Sequence, residues 1–258
     1  MNGLVFYWFC LFMVMGLYVS AQERPGVPDF NIHLKTPIGK PRAVLLVFPG
    51  YKFGWEEMQK QTEIIRLAEK QNYLVVLPEM GNSLYIDTAF QETIPALKSQ
   101  RGVAFVNQRL VPLMDSLLEV HHLPLLVYGL STGCRGALQY AAKQKQTLAL
   151  ALLSGDYCFS LDINDKLARR FLGDYHQHSL RWQETGNLLG LANELLCKVF
   201  LACGELDQVA RPLQSKALKS KLLPRQSELL IQPGAGHEAG FWRDTDKKVI
   251  RFFEKALK

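Results

Sequence analysis

The first 22 residues carry no charged side chain, and the first acidic or basic residue is Glu23. Cysteine is scarce, at five in 258 residues, which excludes a small disulfide-stapled scaffold. No internal repeat, Pro/Ser/Gly linker or low-complexity tract interrupts the chain, so solenoid, collagenous and disordered classes are excluded. Neither G-x-G-x-x-G nor a phosphate-loop pattern follows any apolar run, and no cofactor is implied. Charge of one sign is only slightly in excess, with 30 Lys+Arg against 24 Asp+Glu. The densest basic stretch, Lys216–Arg225, spaces its charges along a Leu-containing helical pattern without interleaved aromatic rings. That fits a solvated helix face and speaks against a nucleic-acid partner.

What is present begins with the uncharged amino end. The apolar run Leu4–Val19 closes on the small residues of Val19-Ser20-Ala21, and polar Gln22-Glu23-Arg24-Pro25 follows. This pattern predicts a secretory signal cut after Ala21, hence an extracytoplasmic protein, although the usual Lys or Arg at the start is missing. The run is shorter than the roughly 20 residues of a spanning helix, so no stable membrane insertion is expected after cleavage. About 237 residues, 22–258, then form one domain. Cys134, Cys158, Cys197 and Cys203 remain, and buried free thiols are expected. Cys197 and Cys203 flank one apolar run, about 20 Å apart along an extended strand, too far to bridge.

Short continuous apolar runs alternate with amphipathic stretches. The runs Ala43–Phe48, Tyr73–Leu77, Leu125–Tyr128, Leu148–Leu153, Val199–Ala202 and Leu229–Ile231 read as buried strands. Between them Trp55–Lys70, Val103–Val120, Arg135–Lys145, Arg211–Leu222 and Thr245–Leu257 read as helices. The alternation predicts an α/β fold, a doubly wound, mostly parallel sheet with helices on both faces. Residues 156–196 break it and read as a polar insertion over the carboxyl edge. Active residues in such sheets gather where strands end.

Gly129-Leu130-Ser131-Thr132-Gly133 follows one strand and opens a helix, which makes it a nucleophile elbow. Its glycines avoid collisions with strand and helix, and the Ser131 hydroxyl stands exposed at the helix amino end. A hydroxyl needs a base to take its proton. Asp207 and His237 each lie just past a later strand, in the order Ser, Asp, His that α/β-hydrolases use. Glu205 is a lesser candidate for the acid. A tetrahedral intermediate needs two backbone donors, predicted to be the Thr132 amide and the Tyr51 amide in the turn Phe48-Pro49-Gly50-Tyr51. Asp174, His176 and His178 lack a fourth ligand at useful spacing, and His121-His122 reads as a turn, so no metal is expected.

The chain resembles the esterase D-like branch of α/β-hydrolases, which includes S-formylglutathione hydrolases, feruloyl esterases and mycolyltransferases. Leu77–Asp87 is similar to the family's MPDGGNSWYxD stretch, and Gly129–Ala137 (GLSTGCRGA) to its GLSMGGYGA. Leu153-Ser154-Gly155, Ala202–Asp207 (ACGELD) and Gly234–Trp242 (GAGHEAGFW) are similar to LSG, CGxxD and GxHxWxxW. The resemblance implies Ser131, Asp207 and His237 as the triad. It also implies Asn82, Tyr85 and Trp242 near the substrate. Departures are Thr132, Cys134 and Arg135 in the elbow, Pro49 where the family has His before the oxyanion turn, and a shortened amino-terminal hairpin.

The expected activity is a secreted serine hydrolase that cleaves carboxylic esters, of short acyl groups or acyl groups linked to carbohydrate. An acyltransferase on the same site and a non-catalytic binding module with this fold are the alternatives. The sequence does not reveal an oligomeric state.

Overall fold

The computed structural model describes residues 27–98 and 100–258. The expected signal segment lies outside the described residues. Seven strands form one sheet: β1 (Ile32–Lys35), β2 (Ala43–Phe48), β3 (Tyr73–Pro78), β4 (Leu125–Leu130), β5 (Thr147–Leu153), β6 (Lys198–Gly204) and β7 (Ser227–Gln232). Their spatial order is β1-β3-β2-β4-β5-β6-β7, parallel throughout except for β1, which runs antiparallel to β3 at the edge. The order reverses between β3 and β4, with β2 in the middle, as in a doubly wound sheet.

Continuous apolar runs are needed because every second side chain feeds a different core. Val44, Leu46, Val127, Leu150 and Leu201 face one buried cluster, while Leu45, Val47, Leu126, Ala151 and Ala202 face the other. The helices that cover them are, in chain order, α1 (Trp55–Gln61), α2 (Ile64–Lys70), α3 (Pro95–Lys98), α4 (Gly102–Phe105), α5 (Val111–His121), α6 (Gly133–Lys143), α7 (Lys166–Leu172), α8 (Ser179–Glu184), α9 (Pro212–Lys221) and α10 (Ala239–Ala256). Residues of α5, α6 and α9 pack into the first cluster, and those of α1, α2 and α10 into the second.

The structure corrects several boundaries. Trp55–Lys70 is two helices, because the Thr62 hydroxyl bonds back to the Met58 carbonyl and Asp246 of α10 accepts the Glu63 amide. Val103–Val120 contains a wide π turn at Val106–Leu110 between α4 and α5. Pro112 follows directly and has no N–H for the ladder, so the chain widens before it. The last helix starts at Ala239, six residues earlier than expected, with Phe241 and Trp242 buried in its first turn. The strand β1 has no counterpart in the expected set; it is short and half exposed.

Segment 156–196 is less polar in its packing than its composition. It contains α7 and α8 and buries Phe159, Phe171, Leu172 and Trp182 against Leu84, Ile86 and Leu97. Among the described residues no helix is long and apolar enough to cross a membrane.

Candidate active site

Ser131 follows β4 and precedes α6 with a left-handed backbone, φ 53°. An L side chain avoids that region, so the residue stores strain of order 1 kcal/mol or more. The elbow is tight on both sides. A Cβ at Gly129 would lie 2.8 Å from the Ala137 Cβ, and one at Gly133 would run into the Phe48 carbonyl oxygen. The β2 turn is thereby pressed against the elbow.

This backbone presents the hydroxyl to His237. Ser131 Oγ lies 3.1 Å from His237 Nε2, and His237 Nδ1 lies 2.8 Å from Asp207 Oδ2. Asp207 is fully buried, and its other oxygen accepts the amides of Val209 at 2.9 Å and Ala210 at 2.8 Å. A carboxylate so held offers one oxygen to the imidazole and cannot swing away. Asp207 enters from the loop after β6 and His237 from the loop after β7. The two loops are tied by hydrogen bonds from the Leu206 amide to the Ala235 carbonyl and from the Glu205 amide to the Gln232 carbonyl. The Glu205 side chain accepts the Gly234 amide instead of meeting His237.

The proposed donors flank Ser131. A Cβ built on Gly50 would come within 3.4 Å of the Ser131 Cβ, which places the Gly50-Tyr51 turn beside Ser131. Among the described residues neither the Tyr51 nor the Thr132 amide has a protein acceptor. The turn is held from outside by the Lys52 amide on the Gly81 carbonyl at 2.8 Å and the Phe53 amide on the Gly50 carbonyl at 2.9 Å. A backbone N–H left free beside a nucleophile is a ready donor for developing negative charge.

Of the three residues implied to lie near the substrate, Trp242 packs against His237. Its ring stands edge-on to His237 with centroids 5.1 Å apart, and its Nε1 donates to Ser154 Oγ at 3.1 Å. Trp242 is buried, so it braces the imidazole and ties α10 to the end of β5. Asn82 is partly exposed on the loop that carries Gly81, and its amide donates to the Gln100 side chain. Tyr85 is turned inward, with its ring against Gly136 and Phe48, on the flank of α6.

The unusual elbow residues have structural roles. Cys134 Sγ lies 3.2 Å from the carbonyls of both Gly129 and Leu153, buried between β4 and β5 and out of the cleft. Burial pushes its thiol well above the usual range, and the thiols of Cys197 and Cys203 are pushed up to about 11. All four described cysteines are buried and free. Arg135 is fully buried and joins three segments: Nε donates to the Leu84 carbonyl at 3.1 Å, and Nη1 pairs with Asp156 at 3.0 Å. The guanidinium also donates to the Gly186 carbonyl and lies 4.1 Å from the Phe159 ring centroid. The sequence marked Arg135 only as a departure; a lone Arg in the first turn of a helix lined with small and apolar residues signals a buried partner elsewhere.

Asp174, His176 and His178 do not converge. Asp174 accepts the His176 amide, and His178 faces Glu92. Among the described residues no three His, Cys, Asp or Glu side chains are grouped to hold a metal.

The sequence matches no protein-family model and no curated protein. Its structure is similar to that of an S-formylglutathione hydrolase from Agrobacterium tumefaciens, with a TM-score of 0.65 at 16% identity over 89% of this chain and 90% of the other. Esterase PE8 is similar with a TM-score of 0.60 at 16% identity, covering 89% of this chain and 100% of that one. An acylaminoacyl peptidase from Pyrococcus horikoshii matches with a TM-score of 0.64 at 15% identity, over 89% of this chain and only 40% of the peptidase. The chain has the α/β-hydrolase fold.

Proposed function

We propose that this protein is a serine hydrolase of carboxylic esters, with Ser131 as nucleophile, His237 as base and Asp207 as the acid that orients it. The observation that carries the reading is the unbroken relay from Ser131 Oγ through His237 to a buried Asp207, set on a strained elbow. His237 Nε2 takes the Ser131 proton as Oγ attacks the acyl carbonyl. The carbonyl oxygen becomes an anion held by the Tyr51 and Thr132 amides. Collapse breaks the ester C–O bond, and the leaving alkoxide receives the proton from His237. Water then loses a proton to His237, attacks the acyl-enzyme, and the acid departs as Ser131 regains its proton. The buried Asp207 keeps the Nδ1 proton facing inward and stabilises the imidazolium formed at each step.

The substrate class in this reading is a small or carbohydrate-linked ester, met outside the cytoplasm by a chain cut after Ala21. Esterase PE8 and the S-formylglutathione hydrolase support esters over peptides by their names and near-complete coverage; the peptidase match spans less than half of that protein. Fluorophosphonate labelling with peptide mapping tests the nucleophile. One adduct on Ser131, absent from Ser131→Ala and slowed in His237→Ala, is the expected result. Folded protein that takes no label overturns the reading and leaves a binding module. An ester panel run with water and with sugar acceptors then separates hydrolysis from acyl transfer, and intact mass of the exported chain checks the cut after Ala21.

A further inference from the structure

A cavity lies along the flank of α6, with none of Ser131, Asp207 and His237 in its wall. It encloses about 180 Å³ and is walled by Tyr85, Val103, Val106, Val111 and Tyr140. An apolar cavity of about 150 Å³ holds a benzene ring, so this one fits an apolar group of about six to eight carbons. Its α6 residues are Gly136, Gln139, Tyr140 and Lys143, with Gln144 just past the helix end, one stripe at helical spacing that runs away from Ser131. The opposite wall contains Val106 and Asn107 of the π turn, a departure from regular helix that widens the backbone there. Such turns concentrate at functional sites.

Two chemical features select the occupant. The Tyr85 and Tyr140 hydroxyls are buried with no protein partner among the described residues. Both residues wall this cavity with their rings, the oxygens themselves being sealed from solvent, so the lining meets an occupant as apolar aromatic surface. At the rim the exposed Lys143 ammonium donates to the Asn107 side-chain Oδ1 at 3.3 Å, a neutral partner that an anion would replace with a stronger charge-assisted bond. Burial, with a smaller contribution from the charge of Asp115, raises the Tyr140 phenol and keeps it neutral. An anionic head is therefore directed to the Lys143 end.

We infer that this cavity binds a small amphipathic carboxylic acid, its chain between α6 and the π turn and its carboxylate on Lys143. The site does not depend on Ser131 being a nucleophile, and its test reads binding alone. Full-length protein is titrated with octanoate and with 1-octanol while backbone amide shifts are followed by NMR. Saturable shifts at residues 103–111 and 136–144 are expected for both probes. Lys143→Met is expected to weaken octanoate roughly tenfold and leave 1-octanol unchanged, as loss of one charge-assisted bond predicts. Val106→Trp, which fills the cavity, removes both; should it unfold the chain, Val111→Phe serves the same purpose. No saturable binding overturns the inference. So do shifts confined to the segments around Ser131 and His237, or a Lys143→Met effect equal for acid and alcohol.

Discussion

Asp207 and His237 are joined at 2.8 Å by a carboxylate whose second oxygen is already occupied by two backbone amides. The acid is thus fixed before the histidine arrives. Asp207→Asn retains the shape and one acceptor but sets the amide against Nδ1 in the wrong tautomer. A loss in kcat of about 10⁴-fold is expected, with a far-UV spectrum like the parent's. An activity loss of less than tenfold in a folded variant would remove Asp207 from the relay.

The strain at Ser131 has a stability signature separate from chemistry. At an ordinary site Ala→Gly costs about 0.5–1 kcal/mol. At φ 53° the left-handed backbone offsets or reverses that cost, so Ser131→Gly should be at least as stable as Ser131→Ala. Urea midpoints of the two inactive variants decide it.

Arg135 carries the contact between α6 and segment 156–196. Arg135→Met strands Asp156 and two carbonyls in a largely buried setting, and a loss of about 3–5 kcal/mol is expected. Asp156→Asn added to it should recover part of the loss by removing the uncompensated charge. Limited proteolysis of the single variant should cut first within 156–196.

Asp246 gives the protein an inverted pH response. Burial pushes its carboxyl up to about 7, against the amide of Glu63 and the hydroxyl of Tyr128. The folded state then binds the proton more tightly than the unfolded chain does. Its contribution is full below the unfolded value near 4 and declines as pH rises toward 7, by on the order of 4 kcal/mol. Asp246→Asn should flatten the melting temperature across pH 5 to 8 and gain on the parent at the upper end. Parallel curves for the two proteins would refute this.

Much of the architecture was legible because six strands read as unbroken apolar runs, five of them, β2 to β6, buried on both faces. The meeting of Ser131, His237 and Asp207 was legible because each sits at a strand end within a short glycine-marked turn. What stayed hidden depends on distant partners. The break at Thr62-Glu63 needs Asp246, 183 residues away, and the burial of Arg135 needs Leu84, Asp156 and Gly186. The strand β1 offers only Ile32 and Leu34 as apolar signal, too few to mark an edge. Tyr85 and Trp242 were expected beside the substrate on resemblance; the inward turn of one and the bracing role of the other follow from packing that no motif records.

The three residues of the relay lie far apart along the chain, 106 positions between Ser131 and His237 and 30 between Asp207 and His237. They meet only where β4, β6 and β7 have joined through β5 into one sheet. Contacts of this range close late, since loop entropy must be overcome before they form. On the proposed reading a newly made chain is inert until β4, β6 and β7 share one sheet, because before that Ser131 has no base beside it.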